Sequence, residues 1–234
     1  MTSPVRRFDP ATLPSNRLLT ELSLWSADLM NLGTEVARVD ELADIYHIDT
    51  ADGHFSPYML FFPDVVAQLR PLTQRPLHVH LMMADSILDE QIDQFAEAGA
   101  DLISIHAENK NVDAAISRIE SHGCAAGVVL QLHTPVSAVE QWIDRLSIIT
   151  LLGTRMGVKG QDLAPEACER LVEARQLINR YSAQKRIILA ADGAIRTHTV
   201  PMLRESGADT VVMGSLAFNA ESYEDTINWS RSLR

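Results

Sequence analysis

The densest chemistry in the chain lies in His47-Ile48-Asp49-Thr50-Ala51-Asp52-Gly53-His54-Phe55. A short run, Asp44-Ile45-Tyr46, leads into it, and a Gly turn and Pro57 close it, which predicts a strand running into a functional loop. In a strand His47 and Asp49 share one face while Tyr46 and Ile48 share the other, so an imidazole and a carboxylate can reach one metal ion. Taken alone, His-x-Asp is more often a polar strand end with a capped turn, and Asp52 suits that capping role before Gly53. The companions reverse the balance. His78, His80 and Met82 share a face of Leu77–Met82, Leu102–His106 ends on a histidine, and Ile188, Ala190 and Asp192 share a face. Each reads singly as a core polar residue, but several at one end of a sheet would cost several kcal/mol if buried without partners. Two His and two Asp suit a borderline divalent cation, zinc first, with iron, manganese or cobalt as alternatives. Carboxylates from the second and seventh strands would approach a ligand from opposite sides. That suits proton removal on one face and delivery on the other, with a metal polarising carbonyl and hydroxyl oxygens to stabilise an enediolate.

The elements that must position these groups repeat. Predicted strands at Leu22–Trp25, 44–49, 77–82, 102–106, 126–130, 147–152, 186–191 and 210–214 alternate with helical spacing at 33–43, after Pro63, around Ile87–Phe95, and at 112–122, 136–144, 165–181, 196–205 and from about 220. Gly99-Ala100-Asp101 and Gly207-Ala208-Asp209 precede two of the strands, as a left-handed helix cap and short turn would. Eight strand-then-helix units call for a parallel sheet closed as a single (β/α)₈ TIM barrel over residues 19–234, after an irregular arm at 1–18 carrying Pro4, Pro10 and Pro14. An open doubly wound sheet is the rival, weakened by the absence of a Gly-rich turn after the first strand. In a barrel the site belongs at the strand C-termini, which is where His47, Asp49, His78, His80, His106 and Asp192 are expected to fall.

Composition narrows the partners. With 46% hydrophobic residues in 234, the chain is long enough for one large core. A net charge of -11 argues against nucleic acid or an anionic membrane. Two cysteines, Cys124 and Cys168, make no disulfide framework, no apolar run has the length of a membrane span, and the first ten residues lack the apolar core of a signal peptide. A cytoplasmic enzyme is the expectation. Further copies of the same chain are expected as partners. Gly157-Val158-Lys159-Gly160-Gln161, Asp192-Gly193-Ala194 and Gly214-Ser215 follow the last three strands, where barrel loops offer backbone amides to a phosphate.

With these pieces placed, residues 20–220 resemble the ribulose-phosphate 3-epimerase family. The resemblance rests on Ser23-Leu24-Trp25-Ser26-Ala27-Asp28, His47-Ile48-Asp49 with Asp52-Gly53-His54-Phe55 and Pro57, His80-Leu81-Met82, Gly99-Ala100-Asp101 with His106, Gly157 with Gly160-Gln161, Asp192-Gly193, and Gly207-Ala208-Asp209 with Gly214-Ser215. It implies a (β/α)₈ barrel that inverts C3 of a ketose phosphate, and so a small sugar phosphate as partner, with D-ribulose 5-phosphate as the default substrate. It also implies His47, Asp49, His80 and Asp192 as metal ligands, Asp49 and Asp192 as the acid/base pair, and Ser23 as a substrate contact. The remaining substrate contacts are expected from His80, Met82, Gly157, Lys159, Gly160, Gly193, Ala194, Gly214 and Ser215. The chain departs from the family at Ala51 and Leu152, which replace methionines, at Tyr58, in the 155–161 loop, at Gln131-Leu132-His133, and at Ala194. The drift lies in the rim, so a related sugar phosphate such as allulose 6-phosphate or a four-carbon ketose phosphate stays open. A metal-independent lyase or a binder on the same barrel also stays open. Lys159, where the family has Gly, reads either as a solvated charge or as a direct cation to the phosphate, with Arg155 as the next cation.

Overall fold

Eight parallel strands close into a barrel in chain order, in a computed structural model that describes residues 8–156, 160–181 and 185–233. The strands are β1 (Leu19–Ser23), β2 (Ile45–Ala51), β3 (Leu77–Met82), β4 (Leu102–His106), β5 (Ala125–Leu130), β6 (Leu146–Leu152), β7 (Ile188–Asp192) and β8 (Thr210–Met213). Closure comes from β1 on β8, with Leu19 opposite Thr210 and Leu22 opposite Met213. The helices are α1 (Leu32–Val39), α2 (Pro63–Leu69), α3 (Asp85–Glu97), α4 (Val112–Ser121), α5 (Ala167–Tyr181), α6 (Val200–Glu205), α7 (Ser215–Phe218) and α8 (Tyr223–Ser232).

Several elements differ from the sequence expectation: α1 ends at Val39 rather than 43, α6 begins at Val200 rather than 196, β7 runs Ile188–Asp192 rather than 186–191, and β1 and the β5–β6 connection depart as well. β1 starts at Leu19 rather than Leu22 and stops at Ser23, after which Leu24–Ser26 forms a 3-10 turn. Pairing with β8 draws the strand's start back, and the tight turn tucks Leu24 into the core. The connection between β5 and β6 is helical over Val136–Arg145, but as a 3-10 run. Val136, Val139 and Trp142 recur every third residue, the period at which 3-10 side chains line up. Val136 and Val139 are buried, and Trp142 packs partly against the core.

Alternation along each strand sorts the side chains into two cores. Outward residues such as Leu22, Tyr46, Ile48, Val79, Leu81, Ile103, Ile105 and Val128 meet the helices in the main apolar cluster. Inward residues form layers. At the bottom, Leu19, Ile45, Leu102, Ala125, Ile148 and Ile188 pack together, closed beneath by Phe8 and Leu13 from the segment ahead of β1. Arg186 holds that segment by donating to the carbonyls of Pro10, Leu13 and Pro14. Above this apolar floor the interior turns polar: Glu21, His47, His78, Ser104 and Thr150 are all fully buried.

The repeated Gly-Ala-Asp signature proves to be a scaffold device. Gly99 and Gly207 sit at φ 108° and 104°, a conformation other residues rarely adopt, and turn the chain out of a helix. The Asp that follows then ties the sheet together. Asp101 accepts from Leu77 N (2.9 Å) and the Arg70 guanidinium (2.6 Å), and Asp209 accepts from Leu189 N (2.8 Å) and Arg175. Asp44 does the same between β1 and β2, taking Thr20 N and both Arg17 nitrogens. All three clamps lie at strand N-termini, away from the site.

At the other end, Asp52 fixes the loop after β2. Its Oδ1 accepts from His54 N (2.9 Å) and Phe55 N (2.8 Å), and its Oδ2 from Ala84 N ahead of α3 (2.8 Å). In Asp52→Asn the amide must face at least one of these donors. Losing that bond costs about 1–3 kcal/mol, or a Tm lower by about 2–12 °C at this chain length, with turnover largely retained. A variant that keeps its Tm yet loses turnover would put Asp52 in the chemistry instead.

Candidate active site and metal centre

Register brings the polar residues together. His47 lies opposite His78 and Asp49 opposite His80 across β2 and β3, while Ser23 on β1 pairs with His47. Asp49 Oδ1 sits 3.2 Å from His47 Nε2 and 3.2 Å from His80 Nδ1, and its Oδ2 accepts from Ser23 Oγ at 2.9 Å. Asp192 approaches from β7. One ligand atom from each of His47, Asp49, His80 and Asp192 lies within 4.8 Å of the others.

Two imidazoles and two carboxylates converging at that span fit a divalent cation of the zinc, iron, manganese or cobalt kind. The electrostatics agree. Burial alone would raise Asp49, but His47 and His80 pull it well below the usual carboxylate range. Burial and then the facing Asp49 charge push Asp192 up to about 6. Burial disfavours the charged form of His47, yet the Asp49 and Glu21 carboxylates raise it well above its ordinary value. Two facing carboxylates with a proton crowded between them and the histidines are what a cation would relieve.

Each ligand histidine has a partner behind it. His47 Nδ1–H donates to Glu21 Oε1 at 2.8 Å. His80 Nε2 lies 2.9 Å from His106 Nε2, and His106 Nδ1 lies 3.0 Å from Glu108 Oε2. Burial lowers His106 to about 4, so it is a neutral link. Glu108 is held ionised, at about 2, so His106 Nδ1–H donates to it; the neutral His106 then has a lone pair on Nε2, which accepts from His80 Nε2–H. Glu108 is anchored in turn by Gln131 N (3.1 Å) and by Thr134 Oγ1.

A cavity of about 560 Å³ opens over this centre at the strand C-termini. Ser23, Asp49, His80, Met82 and Asp192 form its floor, and Trp25, Leu152 and Val212 add apolar wall. Gly160, Gly193, Ala194, Gly214 and Ser215 also line it. Gly214 caps the short α7, and any Cβ at Gly214 would meet Ser26 Oγ at 2.5 Å. Ala194 takes φ 54°, a left-handed conformation that is unusual outside glycine. Arg196 straps the two loops together, donating to Asp162 Oδ1 (2.9 Å) and Gln161 O (2.7 Å). Arg155 also lines the cavity. Gly157 and Lys159 lie outside the described residues.

Three placements go beyond the sequence reading. His78 does not join the mouth set; its ring is a layer lower, between Glu21 Oε1 (2.6 Å) and Ser104 Oγ (2.7 Å). Glu21 was not singled out, although a glutamate two residues before Ser23 must share its inward face. Glu108, two residues after His106, was missed because it lies beyond the strand, where alternation no longer fixes direction.

Fold and site together define a (β/α)₈ barrel with a buried His/Asp cluster able to hold a metal ion beneath an open polar cavity. Residues 20–218 match the ribulose-phosphate 3 epimerase family. The ribulose-phosphate 3-epimerase of Bacillus subtilis is 35% identical over 88% of this chain and 94% of its own length. Ribulose-phosphate 3-epimerase 2 of Cupriavidus necator is 37% identical over 85% of this chain and 83% of its own. Among solved structures, the orotidine 5'-phosphate decarboxylase of Pyrococcus horikoshii superimposes with a TM-score of 0.65 at 14% identity, covering 91% of this chain and 97% of that one. This last likeness concerns the fold alone. The chain belongs to the ribulose-phosphate 3-epimerase family, and is an isomerase.

The raised Asp192 value predicts how the metal-free protein responds to pH. A carboxyl that holds its proton more tightly in the fold than in the unfolded chain, here about 6 against 3.8, contributes stability at low pH. That contribution is lost as pH rises through about 6. Histidines held neutral by burial, His106 among them, gain stability over the same window, so the comparison is with a variant: melted in chelator, the Tm of Asp192→Asn relative to wild type is expected to rise from about pH 4 to 7. Parallel profiles would show that the two carboxylates do not repel.

Proposed function

We propose that the protein is a metal-dependent 3-epimerase that interconverts D-ribulose 5-phosphate and D-xylulose 5-phosphate. The observation that carries this reading is the pair of carboxylates at the floor of the cavity, carried on β2 and β7 on different sides of the barrel. That placement suits one carboxylate, Asp49, to take a proton on one face of a substrate and the other, Asp192, to deliver one on the opposite face. The names of the relatives support the choice of sugar.

In one direction Asp49 takes the proton from C3, and the electron pair moves toward C2 to give an enediolate. Asp192 delivers a proton to the opposite face of C3, inverting it, and the carbonyl re-forms. The two residues exchange roles in the reverse direction. A divalent cation held by His47, Asp49, His80 and Asp192 would supply polarisation of the substrate's C2 and C3 oxygens and lower the energy of the enediolate. Ser23, donating to Asp49 Oδ2, holds the base in orientation and lies close enough to touch the sugar. Met82 and Leu152 keep water from the reacting carbon. The phosphate is assigned to backbone amides of Gly193, Ala194, Gly214 and Ser215, and the neighbouring Arg155 and Arg196 guanidiniums offset a net charge of -11.

Incubation with ribulose 5-phosphate in deuterated water is expected to give xylulose 5-phosphate carrying deuterium at C3. Asp49→Asn and Asp192→Asn are each expected to lower kcat by more than about 10⁴-fold, since each removes an acid–base group and a metal donor together. Chelation followed by added zinc, manganese, iron or cobalt should remove and restore activity. Failure to exchange C3 deuterium with any ketose phosphate would overturn the reading, and near wild-type activity in either variant would overturn the roles.

A further inference from the structure

Beneath the metal donors lies a second polar group that the epimerase reaction itself does not use: Glu21, His78 and Ser104, all fully buried. Glu21 Oε1 receives two N–H groups, from His47 Nδ1 at 2.8 Å and His78 Nδ1 at 2.6 Å. Its other oxygen, Oε2, is buried with no hydrogen-bond partner. The arrangement is built from further down the chain. Ser104 Oγ–H donates to His78 Nε2 at 2.7 Å, which obliges His78 to carry its proton on Nδ1 and give it to Glu21. Room for that serine comes from Gly127 on β5, where any Cβ would meet Ser104 Oγ at 2.1 Å and Ile148 Cγ2 at 2.4 Å. Serine, histidine and carboxylate thus follow one another around the barrel, from β4 through β3 to β1, and end on the back of His47.

Glu21, His47 and His78 could be read as a second cation site, since their donor atoms also cluster within 4.8 Å. The short N···O separations decide against it, because those nitrogens are spent as hydrogen-bond donors to one oxygen. A buried carboxylate with one unpartnered oxygen is expensive, and a purely structural acceptor would serve as well without charge.

We infer that Glu21 is a positioning residue for the metal: it fixes His47 as the Nδ1–H tautomer and makes Nε2 a stronger donor toward the cation, while His78 and Ser104 hold the carboxylate in place. A carboxylate behind a ligand imidazole acts in this way generally, by orienting the ring and raising its basicity. This rests on the metal-dependent reading above, and it adds a residue whose type and strand that reading does not require.

Glu21→Gln is a clean test because it is isosteric. The amide oxygen can still accept both N–H bonds in the place of Oε1, and the NH₂ takes the place of the unpartnered Oε2. Shape and hydrogen bonds stay, and only the charge goes. Zinc affinity measured by chelator competition is expected to fall about 10–100-fold, with the far-UV circular dichroism spectrum in chelator unchanged from wild type. Nitrogen-15 spectra of the zinc-loaded wild type are expected to report His47 as protonated at Nδ1. Equal zinc affinity in Glu21→Gln and wild type, or a His47 protonated at Nε2, would overturn the inference. If the wild type itself binds no divalent cation, it is the metal-dependent function that fails, not the role of Glu21 alone. Should Glu21→Gln fold poorly, Ser104→Ala loosens His78 without touching Glu21. It is then expected to weaken zinc by a smaller factor, and unchanged affinity there would count against the inference.

Discussion

A negative carboxylate inside a barrel is the constraint on which the rest of the structure depends. Asp49 is almost wholly removed from solvent, where an unpaired charge costs far more than a domain's net stability can absorb. Its two oxygens are therefore fully engaged, Oδ1 between the rings of His47 and His80 and Oδ2 on Ser23. Those partners are themselves buried and must be satisfied in turn. The demand runs outward along two paths, through Glu21, His78 and Ser104 on one side and through His106 and Glu108 on the other. The second path ends on Glu108, anchored by Gln131 N and Thr134 Oγ1, while the first ends fully buried, on Ser104 and on the unpartnered Oε2 of Glu21.

Parallel closure makes such a network affordable to position. Side chains alternate strictly in and out, so neighbouring strands in register bring inward residues to the same height. Register alone sets His47 against His78 and Asp49 against His80. The apolar floor below, closed by Phe8, keeps water from entering beneath the polar layer. The Asp44, Asp101 and Asp209 clamps hold strand N-termini together at the opposite end from the chemistry, so rigidity and reactivity occupy separate ends of one scaffold.

The barrel and the inward polar residues at its mouth were legible because each rests on a short-range rule, whereas the choice of His47, Asp49, His80 and Asp192 from among them came from the family resemblance. Period-two alternation gave the inward set, Gly-Ala-Asp gave two of the turns, and strand C-termini gave the location of the site. What escaped was long-range. Glu21 carries no local motif, and its partners on β2 and β3 are 26 and 57 residues away in sequence. Glu108 lies past a strand end. His78 matched the alternation of His80, but alternation cannot say how high along the barrel axis a residue sits; the register against β2 decides that. The 3-10 winding of Val136–Arg145 likewise needed the geometry of the β5 to β6 crossover.

The donors are unevenly distributed along the chain. Three of the four, His47, Asp49 and His80, fall within residues 47–80, after Glu21 and Ser23 that lie behind and beside them. Asp192 is the lone donor from the second half, and it arrives with the loops that line the opposite wall of the cavity. During synthesis on the ribosome, β1 to β4 therefore emerge carrying three of the four candidate donors before β8 exists to close the ring against β1. The order of translation leaves the fourth donor, and with it the two-sided centre, to the final quarter of the chain.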